Sequence, residues 1–412
     1  MRYDVIVVGA GPAGSTAARE SAQRGLSVLM LDKAEFPRDK PCGGGVTVRC
    51  ANLLDIDLTP VIERTVTGAK FTLHRGREFS RSSSGVISYM TQRRHLDALL
   101  AERAVEAGVT FRQRESLKSV ERNNGNVTVR AGRETYEGRT LVAADGANGT
   151  TAKMAGVKAN FLHGIALEGN ITPKGTFPAE WETTMGTDFG GLPGGYGWAF
   201  PKGDHLNIGV GGWKYLGPTL RGKLNELVEF YGFDPADLWG VRGHHLPIHR
   251  RGSPFVDGNV VLVGDAAGVL DPLTAEGIYG ALWTGQAAAA NIAEHLDGKT
   301  ANLDGYRKQV ERQLLPELTV GRQFHDVFHL WPGFFIGIER RTSIPWRAME
   351  RMVRGESTYV TVARRLGWMW PIMEFISDAV RVFPPLRRMS GLPDPVPPER
   401  FLRRRAEHTN SL

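Results

Sequence analysis

The apolar run Tyr3-Asp4-Val5-Ile6-Val7-Val8 breaks into Gly9-Ala10-Gly11-Pro12-Ala13-Gly14 and resumes as the small-residue run Ser15-Thr16-Ala17-Ala18. A valine-rich run that meets glycines and then alanines predicts a strand buried on both faces, a tight turn and a helix. A second buried strand is expected over Ser27-Val28-Leu29-Met30-Leu31, ending in Asp32. A loop over Lys33 to Lys40, the glycine-rich Pro41-Cys42-Gly43-Gly44-Gly45 and a helix from about Thr47 to Leu54 follow. Leu96, Leu99, Leu100 and Ala104 fall on one face of a helix running from Gln92 to Ala107. Strand-like pieces over Val109 to Val120 and Val127 to Arg130 precede a buried strand, Thr140 to Ala144, which closes in Asp145-Gly146-Ala147-Asn148.

From Asn160 to about Val210 the pattern changes to alternating apolar and polar residues with many glycines and aromatics, which predicts a broad antiparallel sheet. A helix is expected over Leu220 to Tyr231. Asn259 to Val263 is again a buried strand, ending in Gly264-Asp265; a loop to Gly277 and a long alanine-rich helix, Ile278 to His295, come next. A further helix spans about Leu303 to Leu330, and beyond it tryptophans lie among arginines and prolines in short helical pieces.

This order predicts a mixed α/β chain. A discontinuous Rossmann-like nucleotide domain takes residues 1–60, 91–159 and 251–320, an antiparallel-sheet substrate lobe takes 61–90 and 160–250, and a helical segment takes 321–412.

Length agrees with that division, since 412 residues suffice for two or three lobes. Two cysteines, Cys42 and Cys50, form no disulfide framework, and no metal site is expected. The first strand starts too early for a signal peptide, and no apolar run approaches the ~18 residues of a spanning helix, so a cytoplasmic location is expected. Of the net charge of +7, nearly all comes from Val320 to Leu412, where 15 arginines and no lysine face nine acidic residues. No nucleic-acid-binding fold accompanies that charge; interleaved aromatics, including Trp331, Trp346, Trp368 and Trp370, point instead to an anionic membrane surface, peripherally at its inner face. The oligomeric state is not legible.

The glycine turn carries the first chemistry. Gly9 permits the turn, Gly11 lets backbone amides approach a pyrophosphate, Gly14 lets helix and strand pack closely, and the helix N-terminus favours the phosphate charge. Asp32 is placed to bond a ribose hydroxyl. Three glycines beside Cys42 suggest backbone lying against a flat ligand.

Together, the GAGPAG opening, Asp145-Gly146 and Gly264-Asp265 resemble the flavoprotein hydroxylase and reductase superfamily. Within it, Pro41-Cys42-Gly43-Gly44, Arg93 with Asp97, Ala152-Lys153, Pro272 with Glu276-Gly277-Ile278, and Tyr196-Gly197-Trp198-Ala199-Phe200-Pro201 resemble the geranylgeranyl reductase family. The resemblance covers roughly residues 1–320. It implies FAD, an apolar tunnel under the sheet, and reduction of isolated prenyl double bonds on a lipid, quinone or chlorophyll-type substrate. FAD is then expected to lie against Gly9, Gly11, Ala13, Gly14, Asp32, Lys33, Cys42, Gly43, Gly44, Arg93, Gly264, Asp265, Pro272, Gly277 and Ile278. Asp265 would meet the ribityl hydroxyls, and the helix beginning at Gly277-Ile278 would face the flavin pyrimidine with its amides. Arg93 would hold pyrophosphate or adenine-side groups, with Arg94 a competitor.

Tyr196, Trp198 and Phe200, spaced by two, share one face of a strand and would wall the prenyl chain. Cys42, by resemblance, would sit at the flavin's reactive face. Alkene reduction needs a proton as well as a hydride, and Cys42, Tyr196 and a water all remain candidates, with Trp198 as the neighbouring catalytic wall. With no second glycine fingerprint after a strand, NADPH on an open face or a small electron carrier would supply the electrons. Two other uses of the same FAD motifs are an aromatic hydroxylase and a halogenase, although the halogenase Trp-x-Trp-x-Ile-Pro run has tyrosine and phenylalanine here at two of its positions.

Overall fold

The structure is a computed structural model and describes residues 2–123 and 125–392. The chain divides into two compact units: residues 1–65, 86–164 and 243–318 form one, and residues 66–85, 165–242 and 319–412 the other. Sheet and C-terminal helices therefore share a unit.

In the first unit, strand Arg2–Val8 lies between Val28–Leu31 on one side and Glu134–Ala143 on the other, parallel to both. Val260–Leu262 adds beyond Glu134–Ala143, and Thr110–Arg112 beyond Val28–Leu31, again in parallel. The hairpin Leu117–Asn123 and Asn126–Ala131 attaches antiparallel to the early part of Glu134–Ala143. Strand order thus reverses direction at the first strand, and in such sheets ligands bind outside the carboxyl ends at that switch point. Helices Pro12–Gln23 and Ile278–Leu296 pack through small residues: Gly285 comes so near the first helix that a Cβ there would lie 2.7 Å from the Ala13 carbonyl oxygen. The expected helix from Thr47 to Leu54 is a short strand, Gly45–Thr47, and one turn of helix, Val48–Ala51. Strand pairing of Gly45–Thr47 with Ser88–Met90 takes Thr47 from the expected helix, which then ends at Ala51. The helical stretch after Leu303 contains a π-helical insertion, Val310–Leu314, between Asp304–Gln309 and Leu315–Leu330.

The second unit is built on a seven-stranded sheet in the order Trp239–His249, Phe161–Ile171, Leu206–Trp213, Tyr196–Pro201, Thr184–Phe189, Gly68–Leu73, Phe79–Ser82. It is not wholly antiparallel, because Thr184–Phe189 runs parallel to Gly68–Leu73. Helix Leu220–Phe230 covers one face through Leu220, Leu224, Leu227 and Val228, an apolar stripe at helical spacing. On the strand beneath it Gly197 and Ala199 face this helix; a Cβ at Gly197 would lie 2.6 Å from a Leu227 methyl.

Candidate active site

Strand Arg2–Val8 ends where the phosphate turn begins. Gly9 has φ of +103°, a left-handed conformation that a side chain disfavours, and a Cβ there would lie 2.9 Å from Asp145 Cα. A Cβ on Gly14 would press on the Gly9 carbonyl, so only glycine lets helix and strand meet here. Gly11 differs. Its Cβ position meets only two guanidinium nitrogens, from Arg38 at 3.6 Å and Arg93 at 3.9 Å. The turn opens into a space walled by two cations.

Arg93 is buried and donates to both oxygens of Asp97, at 2.6 and 2.7 Å. Burial works against its charge, and Asp97 more than restores it, raising the Arg93 pKa. Arg38 Nη1 lies 3.0 Å from Asp97 Oδ2 but has no hydrogen-bond partner although buried. Two arginines beside one carboxylate leave a positive excess, and Arg38 Nη1, ion-paired with Asp97 but without an aligned hydrogen bond, can still donate to an acceptor. An FAD pyrophosphate fits this arrangement.

Asp32 closes the second strand, its carboxylate accepting from Ala10 N and Ala34 N at 2.8 Å each. The second lone pair on each oxygen leaves room for a ribose hydroxyl. Lys33 follows with an exposed side chain.

Gly264 and Asp265 begin a short 3-10 turn after Val260–Leu262. A Cβ at Gly264 would lie 2.8 Å from Ala13, and one at Gly277 would lie 3.3 Å from Asp265 Oδ1. Gly264-Asp265, Ala13 and the start of helix Ile278–Leu296 therefore converge. Asp265 lies among basic groups: His244 Nε2 stands 3.8 Å from its Oδ2, and Lys40 Nζ is 2.9 Å from His244 Nε2. Burial alone would push the Asp265 carboxyl up, but His244, Lys40 and Arg93 outweigh it and keep it below the usual range. Burial likewise lowers Lys40, helped by the Arg93 charge.

Cys42 is half-buried; its sulfur accepts from Gly44 N at 3.4 Å and also meets the Arg93 guanidinium. Gly43 lies between them. Pro272 is buried in the loop before the helix. Glu276 accepts from Thr47 Oγ1 at 2.7 Å, Arg49 Nε at 3.0 Å and Cys50 Sγ at 3.1 Å, which ties the Gly277-Ile278 helix start to the Gly45–Thr47 strand. Burial and the Glu276 charge push the Cys50 thiol well up, leaving it an inert donor.

In the other unit Tyr196, Trp198 and Phe200 do share a face, with ring centroids 6.1 and 6.3 Å apart. That face is the one opposite helix Leu220–Phe230. Trp198 is 7% exposed, and its indole lies over Gly209, its cross-strand partner. Trp198 Nε1 donates to Asn207 Oδ1 at 2.8 Å, and Asn207 Nδ2 to Asn170 Oδ1 at 3.1 Å. The aromatic row continues through Phe189, 5.9 Å from Tyr196, to Phe328, 5.0 Å further on. Arg38, Lys40, His244 and Asn207 carry no pattern that reads as a site from sequence; only the Pro-Cys-Gly-Gly motif beside Arg38 and Lys40 flags their loop.

A parallel sheet with a glycine turn at its switch point, a two-arginine cradle and a terminal Gly-Asp define an FAD-dependent flavoprotein. The FAD binding domain family matches residues 2–182. Geranylgeranyl diphosphate reductase of Rhodobacter capsulatus is 33% identical over 314 residues, covering 74% of this chain and 78% of the relative. Menaquinone reductase of Mycolicibacterium smegmatis is 31% identical, covering 70% and 76%. A geranylgeranyl bacteriochlorophyll reductase-like crystal structure from Thermoplasma acidophilum superposes with a TM-score of 0.70 at 25% identity, covering 78% of this chain and 86% of that one. The chain belongs to the geranylgeranyl reductase family of FAD-dependent oxidoreductases.

Proposed function

We propose that this enzyme saturates carbon–carbon double bonds in the isoprenoid chain of a membrane lipid, quinone or chlorophyll-type substrate. The observation that carries the reading is the aromatic row Phe189, Tyr196, Trp198 and Phe200, which lies on the sheet face opposite helix Leu220–Phe230. A row of rings with one buried indole presents a largely apolar wall that suits a long apolar chain, with the Tyr196 hydroxyl as its one polar group. When bound, reduced FAD supplies the hydride. The chain's own residues hold the cofactor's phosphates at Gly11, Arg38 and Arg93, and its ribityl hydroxyls at Asp265. Cys42 and Tyr196 remain the side chains proposed to hold the proton that the second carbon requires. NADPH or a small electron carrier is the proposed reductant, and the surface of an anionic membrane the proposed place of work.

The test is anaerobic. Dithionite-reduced protein is mixed with a geranylgeranyl lipid, and the product is weighed by mass spectrometry. A gain of one dihydrogen per double bond is expected without oxygen. Inertness toward prenyl substrates, with oxygen consumed on an aromatic substrate, would move the assignment to a hydroxylase or halogenase.

A further inference from the structure

Among the described residues, fourteen large apolar side chains stand exposed, and ten of them lie between Trp331 and Met389. Soluble surfaces seldom concentrate apolar side chains in this way without a partner. Four of the ten meet on one short stretch. Trp368 caps helix Met369–Val382, and Ile372 and Phe375 follow at spacings of four and three, so the three side chains stand on one side. They are 78%, 49% and 57% exposed, and Met369 beside them is 42% exposed. One turn upstream, exposed Arg364 and Arg365 end helix Tyr359–Arg365.

The opposite side of the same helix is pinned. Arg381 Nε donates to Asp326 Oδ2 at 2.7 Å and Ser377 Oγ to the same atom at 3.1 Å, while Arg322 Nε reaches Asp326 Oδ1 at 2.8 Å. All three charged side chains are buried. Rolling the helix to hide Trp368 and Phe375 would break a buried ion pair, leaving a charge uncompensated in the core. The apolar side is held outward by the core behind it.

We propose that this side is a membrane-docking face, with Trp368, Met369, Ile372 and Phe375 entering the acyl boundary of a bilayer and Arg364 and Arg365 meeting the phosphates of anionic lipids. Charge selects this occupant over a second copy of the chain: from Val320 onward 15 arginines outnumber nine acidic residues, so two like faces would repel, whereas an anionic surface complements them. Apolar and aromatic residues on one side, with cations at its edge, are what interfacial helices use. The proposal deepens the isoprenoid-lipid reading and rests on it for the choice of surface.

The experiment uses the full-length, FAD-loaded protein and vesicles of phosphatidylcholine with or without phosphatidylglycerol. Flotation is compared for wild type, Trp368→Ser/Phe375→Ser and Arg364→Gln/Arg365→Gln, with flavin content as the folding control. Wild type is expected to float with anionic vesicles. The apolar variant should lose more than about tenfold in affinity, and the arginine variant about fivefold for each arginine removed, with a weaker salt dependence. Unchanged flotation of the apolar variant overturns the proposal. So does a lipid-free dimer that the same variant splits into monomers, which would assign the face to a second copy. Turnover of detergent-dispersed prenyl substrate separates the two readings: variants that turn over normally but no longer float support the docking face. A wild type that floats yet reduces no prenyl substrate supports the face and refutes the substrate.

Discussion

Replacing Gly209 by alanine tests the aromatic row without touching a residue of the row itself. A methyl at this position would lie 2.5 Å from Trp198 Cη2 and nearer still to the rest of the ring edge. Carbon atoms settle at about 3.5–4.0 Å, so the indole must retreat by at least about 1 Å. The retreat stretches the 2.8 Å bond from Trp198 Nε1 to Asn207 beyond hydrogen-bonding range. Overpacking costs about 1–3 kcal/mol and the lost bond about 1 kcal/mol more. A melting temperature lower by roughly 2–4 °C per kcal/mol is expected. If the indole walls the substrate, displacement of this size should slow turnover by roughly tenfold to a hundredfold. Thermal melting, flavin content and anaerobic prenyl reduction are measured together. Flavin content should stay near wild type, because the phosphate turn and Asp265 lie in the other unit. A second substitution, Trp198→Phe, shortens the ring and should recover stability in the double variant, but not the original chain-length preference. Wild-type melting and turnover in Gly209→Ala would refute both the packing argument and the placement of Trp198 in the site.

Two further outcomes follow from the charged groups. Asp265→Ala should lose bound flavin, read as absorbance after gel filtration, since it removes the carboxylate that Lys40 and His244 hold; full retention would remove Asp265 from the cofactor site. His329 is buried beside His325, Arg322 and Asp326, and burial, with the His325 imidazole next, holds its pKa well below 6.5. The unfolded imidazole accepts a proton near its ordinary value of about 6.5 while the folded one does not. Its contribution to stability is therefore complete above that pH and falls as the solution is acidified, by up to about 1.4 kcal/mol per pH unit. His329→Gln should flatten this part of the melting profile, leaving the part due to His244 and His249, which burial also lowers. An unchanged acid slope would refute a buried neutral His329.

Backbone-driven features were the most legible in the sequence. Gly9 and Gly14 announce the phosphate turn because no side chain fits there, and the spacing of Tyr196, Trp198 and Phe200 by two places them on one face whatever the sheet's topology. Pairing between distant segments was not legible. Nothing in Thr184–Phe189 marks it as parallel to Gly68–Leu73. Gly209 and Asn207 acquire their roles toward Trp198 only through the register of two strands. Arg38, Lys40 and His244 read as ordinary solvated charges until the fold brings them against Asp97 and Asp265. Thr47 reads as the start of a helix for the same reason, since its strand partner Ser88 lies far along the chain.

The strand Val260–Leu262 completes the parallel sheet by pairing with Leu141, Val142 and Ala143, almost 120 residues earlier in the chain. At the ribosome, where synthesis proceeds at about 5–20 residues per second, that edge therefore waits roughly 6–25 s for its neighbour. During the wait the nascent chain presents an apolar strand with open hydrogen-bonding groups, a template for wrong partners. What emerges meanwhile is Thr184–Phe189, Tyr196–Pro201 and Leu206–Trp213, which pair with one another in sequence and can assemble at once. Interrupting the nucleotide sheet with a locally folding meander sets an order of assembly, and expression at low temperature or with chaperones that shield strand edges should raise the soluble yield of this protein more than that of a chain whose sheet closes without interruption.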